Sequence, residues 1–321
     1  MTENLDITIA IPTYNGESRL PELLERLQNQ IHTDNLSWEI IVVDNNSTDN
    51  TAKVVETYQQ NWQCPYPLKY CFEAQQGAAY ARKRAVAVAK GRLIGFLDDD
   101  NYPVSNWVYA AYTFGKKYPK VGAYGSQIHP DWEIEPPENF QRIAPFLAIT
   151  ERGNLPLLYE PAKKLLPPSA GLVVRKQAWL ESVPDKPILT GRVKGNMLTS
   201  EDLEMLSYIQ KSGWEIWYNP EMEIFHKIPT SRLQKDYLIP FFRGIGLSRC
   251  VTRMVNIKQM YRPFFILAYM INDIRKIALH LLKYNTLLKS DLVAACEMQL
   301  FLSSLFSPFY LLKNGYLTKK Q

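Results

Sequence analysis

Asp98, Asp99 and Asp100 follow directly on the apolar run Leu93-Ile94-Gly95-Phe96-Leu97. Carboxylates crowded at the end of a buried strand repel one another and raise each other's pKa. A divalent cation would remove that repulsion and offer hard positive charge to a substrate phosphate. The simpler reading is an acidic helix N-cap, which Asp fills well and which complements the helix dipole. One Asp satisfies a cap, and three exceed that need. The triplet therefore points to metal or phosphate chemistry.

The elements that must position it can be read from periodicity. Residues 7–11 form a short apolar run closed by Pro12, and Leu20, Leu23, Leu24 and Leu27 recur at helical spacing within residues 17–30. Residues 38–43 and 93–97 are continuous apolar runs, and a further strand is expected over 68–72. A turn over 44–49 leads into a helix that Ser47 or Thr48 could cap, and an alanine-rich helix spans 77–90. Later runs suggest strands over 171–174 and 214–218, the latter closing at Pro220, with a helix over 203–210 between them. Alternating strands and helices predict an α/β fold with a mostly parallel central sheet. Unbroken apolar strands fit burial on both faces. Ligands in such sheets bind beyond the carboxyl ends of the strands, so the loops after Ile11, Val43 and Leu97 should share one edge. Neither G-x-G-x-x-G nor G-x-x-x-x-G-K-[ST] occurs, which disfavours a dinucleotide dehydrogenase and a P-loop NTPase.

Composition bounds the rest. The chain has 321 residues, 46% hydrophobic and 21% charged, as in a globular protein with a sizeable core. Cys64, Cys71, Cys250 and Cys296 form no C-x-x-C pair, which argues against zinc or a disulfide framework and suits a reducing cytoplasm. The polar, acidic start Met1-Thr2-Glu3-Asn4 does not resemble a signal peptide. Residues 251–321 hold ten Lys/Arg against three Asp/Glu, a net +7, whereas the whole chain is +5. The first 250 residues are thus slightly acidic, and no nucleic-acid partner is expected of them.

Four segments fall at predicted strand ends: Pro12-Thr13-Tyr14-Asn15, Asp44-Asn45-Asn46-Ser47-Thr48-Asp49, Gly77-Ala78-Ala79-Tyr80-Ala81-Arg82 and Phe96-Leu97-Asp98-Asp99-Asp100. A fifth, Ser200-Glu201-Asp202-Leu203, leads on to Pro220-Glu221-Met222-Glu223-Ile224-Phe225-His226. Their order and spacing resemble the inverting, nucleotide-sugar-dependent glycosyltransferases of family 2, over roughly residues 5–250. Residues 121–129, 135–140 and 241–249 further resemble the cyanobacterial hormogonium polysaccharide biosynthesis glycosyltransferases. The resemblance implies a GT-A fold, Rossmann-like, as a catalytic domain over 1–250, with a basic amphipathic helical extension over 251–321.

It also implies roles, each matched by the residue's chemistry. Tyr14 would stack on a nucleobase, and Asp44 would accept a hydrogen bond from a uracil imide. Their alternatives are a packed loop tyrosine and a turn Asp; Asp49 reads as a turn or cap residue. Arg82 would contact base or diphosphate, whereas Arg84 faces elsewhere on its helix. Asp98 and Asp100 match the two acids of the family's D-x-D: Asp98 touches ribose or the metal's surroundings, and Asp100 ligates Mg2+ or Mn2+. Asp99 is a spacer, turned away if the strand continues. Asp202 matches the catalytic base that deprotonates the acceptor hydroxyl, with Glu201 positioning the acceptor; its alternative is a helix-start Asp. His226 would ligate the metal or donate to the diphosphate. Arg243 and Arg249 could close over the diphosphate.

In the tail, Phe264, Leu267, Ile271, Ile274, Ala278 and Leu281 share one helical stripe, and Asp273, Lys276, His280 and Lys283 lie on another face. Neither this run nor the uncharged stretch 300–312 reaches the length expected of a spanning helix. A basic amphipathic helix suits a membrane surface, and packing on the catalytic domain or a dimer interface is the plainer alternative. The reading that results is a metal-assisted inverting glycosyltransferase acting from a UDP-sugar on a polysaccharide or lipid-linked acceptor. It is cytoplasmic, peripheral on the inner face of the plasma membrane, and works with polysaccharide assembly proteins. A nucleotidyltransferase would need a basic clamp near the N-terminus, yet no Lys or Arg precedes Arg19. A non-catalytic nucleotide-sugar-binding subunit would not need both acid sets.

Overall fold

The structure is a computed structural model that describes residues 5–163, 165–193, 195, 197–288 and 290–316. The start Met1–Asn4 and the tail cations Lys289, Lys319 and Lys320 lie outside the described residues. The chain divides into two compact units. The first holds residues up to 131, 148–183 and 209–227; the second holds 132–147, 184–208 and 228 onward.

The first unit alternates strands and helices through β1 (Leu5–Thr13), α1 (Leu20–Gln28), β2 (Trp38–Asp44), α2 (Thr51–Gln60), β3 (Leu68–Phe72), α3 (Ala78–Val88) and β4 (Gly91–Phe96). The continuous apolar runs become the parallel strands β2-β1-β4, buried on both faces, with the partly exposed β3 parallel at the edge in the order β3-β2-β1-β4. Thr13 lies opposite Asp44 and Ala10 opposite Phe96. The three loops named from sequence therefore leave the sheet at one edge. The core beneath is built from Ile7, Ile9 and Ile11 of β1, Ile40 and Val42 of β2, and the Leu20, Leu23, Leu24 and Leu27 stripe of α1.

The chain continues with β5 (Asn101–Pro103), α4 (Trp107–Lys117), β6 (Val121–Trp132), β7 (Leu157–Leu158), β8 (Leu172–Arg175), α5 (Lys176–Ser182), α6 (Glu201–Lys211) and β9 (Glu215–Ile228). Beyond β4 the sheet is extended by antiparallel β8, β6, β9 and β5, with β7 beside β9. Three expectations change here. The alanine-rich helix stops at Val88, short of residue 90, and Gly91 already begins β4. The aspartates stand in a turn between β4 and β5 rather than on a continuing strand. Strand β9 does not close at Pro220 but runs on through His226. Along one edge β9 pairs with β7 at Trp217 and Tyr218 and with β5 at Ile224 to His226. Pro220 falls between these pairings, where a missing N–H costs no ladder bond.

The second unit is mainly helical: α7 (Lys235–Met254), α8 (Arg262–Tyr284) and α9 (Leu292–Lys313). Residue 250, the expected end of the catalytic domain, lies inside α7. Cys250, Val251 and Met254 of α7 pack with Leu189 and Leu311. Helix α9 continues through Pro308, and its 22 residues are long and apolar enough to cross a membrane by length and composition. This corrects the expectation that the uncharged run was too short, which counted from residue 300 and missed the helix's earlier turns. Its Ser303, Ser304 and Ser307 are buried, Ser307 donating to Leu247 O at 2.5 Å. Its Glu297 pairs with Arg142.

Candidate active site

The site is built at the carboxyl ends of β1, β2 and β4, and the first layer of construction is loop against loop. Asn15, in the left-handed region at φ 52°, accepts Thr48 N–H at 2.8 Å and donates its own N–H to Ser47 Oγ at 2.9 Å. Gly16 N donates to Thr51 Oγ1 (2.8 Å) and Glu17 N to Asp49 Oδ2 (3.1 Å). Asp49 thus fixes the loop that leads into α2, the role its position suggested. Asn45 does the same for the next loop, accepting from Gly77 N at 2.7 Å and donating to Gln75 O at 2.7 Å.

Asp44, the last residue of β2, is buried, and its two oxygens accept Ser47 N–H (2.9 Å) and Tyr70 O–H (2.8 Å). Each carboxylate oxygen keeps a lone pair for a further donor. Burial and the neighbouring Asp44 carboxylate push the Tyr70 phenol well above its usual pKa, so it remains a donor. Tyr14 extends from the end of β1 with 43% of its surface exposed, unlike the packed loop tyrosine that was its alternative.

The structure separates the three aspartates. Asp99 is an anchor rather than a passive spacer. Arg19 grips it through Nε (2.7 Å) and Nη2 (2.9 Å), and Thr13 Oγ1 donates to it at 2.5 Å. Burial raises the Asp99 pKa, Arg19 opposes that, and Asp100 adds to it. The β1 loop approaches so closely that a Cβ on Gly16 would collide with Thr13 Oγ1 and stand 2.8 Å from Asp99 Oδ2. Asp98, the most open of the three, lies 3.5 Å from Nη2 of the buried Arg82, whose guanidinium also donates to Ser169 Oγ at 2.8 Å. Arg84 points to Cys71 Sγ, away from this cluster. Asp100 is buried, accepts from Asn101 Nδ2 at 3.1 Å, and places Oδ2 3.7 Å from Nε2 of His226. The pairing of β5 with β9 sets this meeting, because Asn101 lies directly opposite His226.

Asp100 and His226 thus present one hard oxygen and one imidazole nitrogen close enough to share an ion. The described residues hold no group of three His, Cys, Asp or Glu arranged for a metal. A cation here would complete its coordination from ligand oxygens, which fits Mg2+ or Mn2+ held between protein and phosphate rather than in an all-protein cage. Sequence reading assigned no role to Arg19, Thr13, Asn101, Ser169 or Tyr70. Thr13 and Asn101 carried a signal, Thr13 lying inside the Pro12–Asn15 segment and Asn101 adjoining the triplet.

Glu201 and Asp202 belong to the second unit, where they open α6 behind Ser200, itself in the left-handed region at φ 72°. Both are half-buried, and Asp202 Oδ1 accepts Leu203 N–H at 2.8 Å. The next acid, Glu204, is buried and accepts Ile188 N–H (3.0 Å) and Leu189 N–H (2.8 Å); burial pushes its carboxyl up to about 7. Arg243 is exposed, and Arg249 reaches Ser304 Oγ at 3.4 Å, its pKa brought down to about 10 chiefly by burial.

Comparison with known proteins agrees with this fold. A Poly(ribitol-phosphate) beta-glucosyltransferase of Bacillus spizizenii is 32% identical over 113 residues, 35% of this chain and 18% of that protein. An Escherichia coli UDP-Glc:alpha-D-GlcNAc-diphosphoundecaprenol beta-1,3-glucosyltransferase, WfgD, is 33% identical over 102 residues, 31% of this chain and 37% of its own length. An uncharacterized glycosyltransferase of Nostoc is 34% identical over 97 residues, 30% of this chain and 29% of its own. The matches therefore span well under half of these relatives. Among solved structures, the Pyrobaculum calidifontis mannosyltransferase PcManGT in complex with GDP-Man and Mn2+ aligns with TM-score 0.58 at 15% identity over 96% of this chain and 88% of that one. Staphylococcus aureus TarS 1-349 in complex with UDP-GlcNAc aligns with TM-score 0.55 at 16% identity, over 97% and 92%. The fold is of the GT-A type, a mixed sheet with a parallel half flanked by helices. The family model of glycosyl transferase family 2 matches residues 8–179, from β1 through the aspartates into α5, and the chain belongs to that family.

Proposed function

We propose that this protein is a metal-assisted, inverting glycosyltransferase that moves a hexosyl unit from a UDP-sugar to a hydroxyl of a polysaccharide or lipid-linked acceptor. The observation that carries this reading is the meeting of Asp100 and His226 at 3.7 Å, on the sheet edge that also bears Tyr14, Asp44 and the Arg82–Asp98 pair. A divalent cation at Asp100 and His226 would supply Lewis-acid stabilisation to the departing diphosphate. Tyr14 stacks on the base, Asp44 accepts from the uracil imide, and Asp98 accepts from the ribose. Arg82 holds Asp98 in place and adds positive charge beside the diphosphate.

Asp202 is assigned the acceptor's proton by its position in the family motif. The hydroxyl oxygen bonds to the anomeric carbon while the bond from that carbon to the diphosphate oxygen breaks on the opposite side. The hydroxyl proton passes to Asp202, and the configuration inverts. Glu201 positions the acceptor. Relatives named as glucosyltransferases, one of them acting on a diphosphoundecaprenol-linked sugar, support a sugar-nucleotide donor and a saccharide acceptor. The Nostoc relative is compatible with the finer reading, a cyanobacterial enzyme of hormogonium polysaccharide synthesis working with assembly proteins. A cytoplasmic site at the inner face of the plasma membrane would suit such an acceptor.

The test is release of nucleoside diphosphate across a panel of nucleotide-sugars, with and without Mn2+. Asp100→Ala should abolish transfer and weaken metal-dependent donor binding by about tenfold or more. Asp202→Ala should abolish transfer and leave donor binding largely intact. Full transfer by the Asp202 variant would remove the base assignment, and release of pyrophosphate would make the protein a nucleotidyltransferase.

A further inference from the structure

Helix α8 is turned inside out for a helix facing water. Phe264, Leu267, Ile271, Ile274 and Leu282 recur at helical spacing and point outward, Phe264 with 70% and Leu282 with 85% of its surface exposed. Two polar residues of the opposite side, Asp273 and His280, face inward, beside Phe265, Ile266 and Tyr269. Asp273 is fully buried and takes two bonds from Arg253, at 2.6 and 2.9 Å, and the buried His280 places Nε2 2.9 Å from Ala294 O. Breaking such a pair by rotating the helix would strand a charge in the interior, so the outward apolar face is locked in place. A face of this length, about 34 Å for 23 residues, exceeds the scattered apolar exposure normal for a protein surface.

Charge indicates what covers it. Helix α8 carries four cations, Arg262, Arg275, Lys276 and Lys283, and one acid, Asp273, which Arg253 already neutralises. Arg275 and Lys283 are exposed, and neither is ion-paired among the described residues. A second copy docked symmetrically on this face would set these cations against their own kind. An anionic bilayer surface satisfies both features, accepting the apolar stripe among its acyl chains and the cations among its headgroups. We infer that α8 lies in the plane of an anionic membrane surface through its Phe264–Leu267–Ile271–Ile274–Leu282 face, anchoring the enzyme without crossing the bilayer. This deepens the membrane-peripheral part of the function proposed above. Binding is measured without donor, so its failure would leave the transfer reading standing.

The experiment is flotation of the full chain with phosphatidylcholine vesicles, pure or with about 30% phosphatidylglycerol, at low and high salt. Binding to the anionic vesicles alone, washed off by salt, is expected. Leu267→Asp or Ile271→Asp should weaken it by about tenfold or more. Arg275→Glu with Lys283→Glu, which leaves the apolar stripe whole, should weaken it by about fivefold or more for each cation removed. Ile134→Asp, at an exposed apolar residue elsewhere, should change nothing. All four variants should melt like the parent. Three outcomes would overturn the inference: equal binding to neutral vesicles, retention through an alkaline carbonate wash (α9 crossing the bilayer), or a dimer dispersed by Ile271→Asp with no vesicle binding.

Discussion

Arg19 offers a sharp test of how the aspartate turn is held together. Its guanidinium makes both bonds to Asp99 at 2.7 and 2.9 Å. Arg19→Ala leaves that carboxylate buried with Thr13 as its remaining donor on the β1 side. Removing one partner of a buried ion pair costs about 3–5 kcal/mol. Arg19 is 37% exposed whereas Asp99 is 10% exposed, so water can replace part of the lost partner. A loss of about 2–3 kcal/mol follows. At roughly 2–4 °C per kcal/mol for a unit of this size, the melting temperature should fall by about 5–10 °C.

The pH dependence separates this mechanism from mere loss of packing. The folded-state pKa of Asp99 is already raised, first by burial, and loss of Arg19 would raise it further. A raised carboxylate pKa means the fold gains through that group as pH falls and loses as pH rises through the folded value. The deficit of Arg19→Ala should therefore be largest near pH 8 and shrink on acidification, as Asp99 takes up a proton and no longer needs a cation. Urea unfolding of parent and variant across pH 5–8 measures the gap. A deficit that stays constant or widens as pH falls would refute the reasoning.

Other perturbations follow from the same geometry. Gly16→Ala would drive a methyl group against Thr13 Oγ1 and Asp99 Oδ2, costing about 1–3 kcal/mol of overpacking, visible as a lower melting temperature together with weaker donor binding. Glu204 should make the parent less stable as pH rises from 4.5 through about 7, by up to about 3 kcal/mol. Glu204→Gln should flatten that slope in urea titrations, and an unchanged slope would place the titration elsewhere. Asp44→Asn keeps an acceptor for Ser47 N–H but removes the charge, so calorimetric affinity for UDP should drop about tenfold with little change in melting. Equal affinity would mean Asp44 serves only its turn.

Much of the site was legible because its residues sit at strand ends, where an apolar run stops and polar residues begin. Asp44 is the last residue of β2, and the triplet stands just past β4, as periodicity required. What escaped were the partners from distant segments. Thr13 meets Asp99 across 86 positions, and Arg82 meets Ser169 across 87. No local pattern marks either contact, because each joins segments that only the fold brings together. The expected stop at Pro220 failed for a related reason: a proline breaks a strand only where its N–H is wanted, and that depends on neighbours supplied by β5 and β7.

The sequence alone determined the kind of fold, the shared edge and the acids gathered there, because alternating apolar runs must pack as a sheet with helices over it and strand ends must carry the polar residues. Tertiary structure decided how the three aspartates divide. Asp99 turns to Arg19 ahead of α1, Asp98 to Arg82 of α3, and Asp100 to His226, which the pairing of β5 with β9 delivers. It also decided which way α8 faces. Helical periodicity defines two sides but not which is inward; the Arg253–Asp273 pair settles that by burying Asp273 and turning the apolar stripe out.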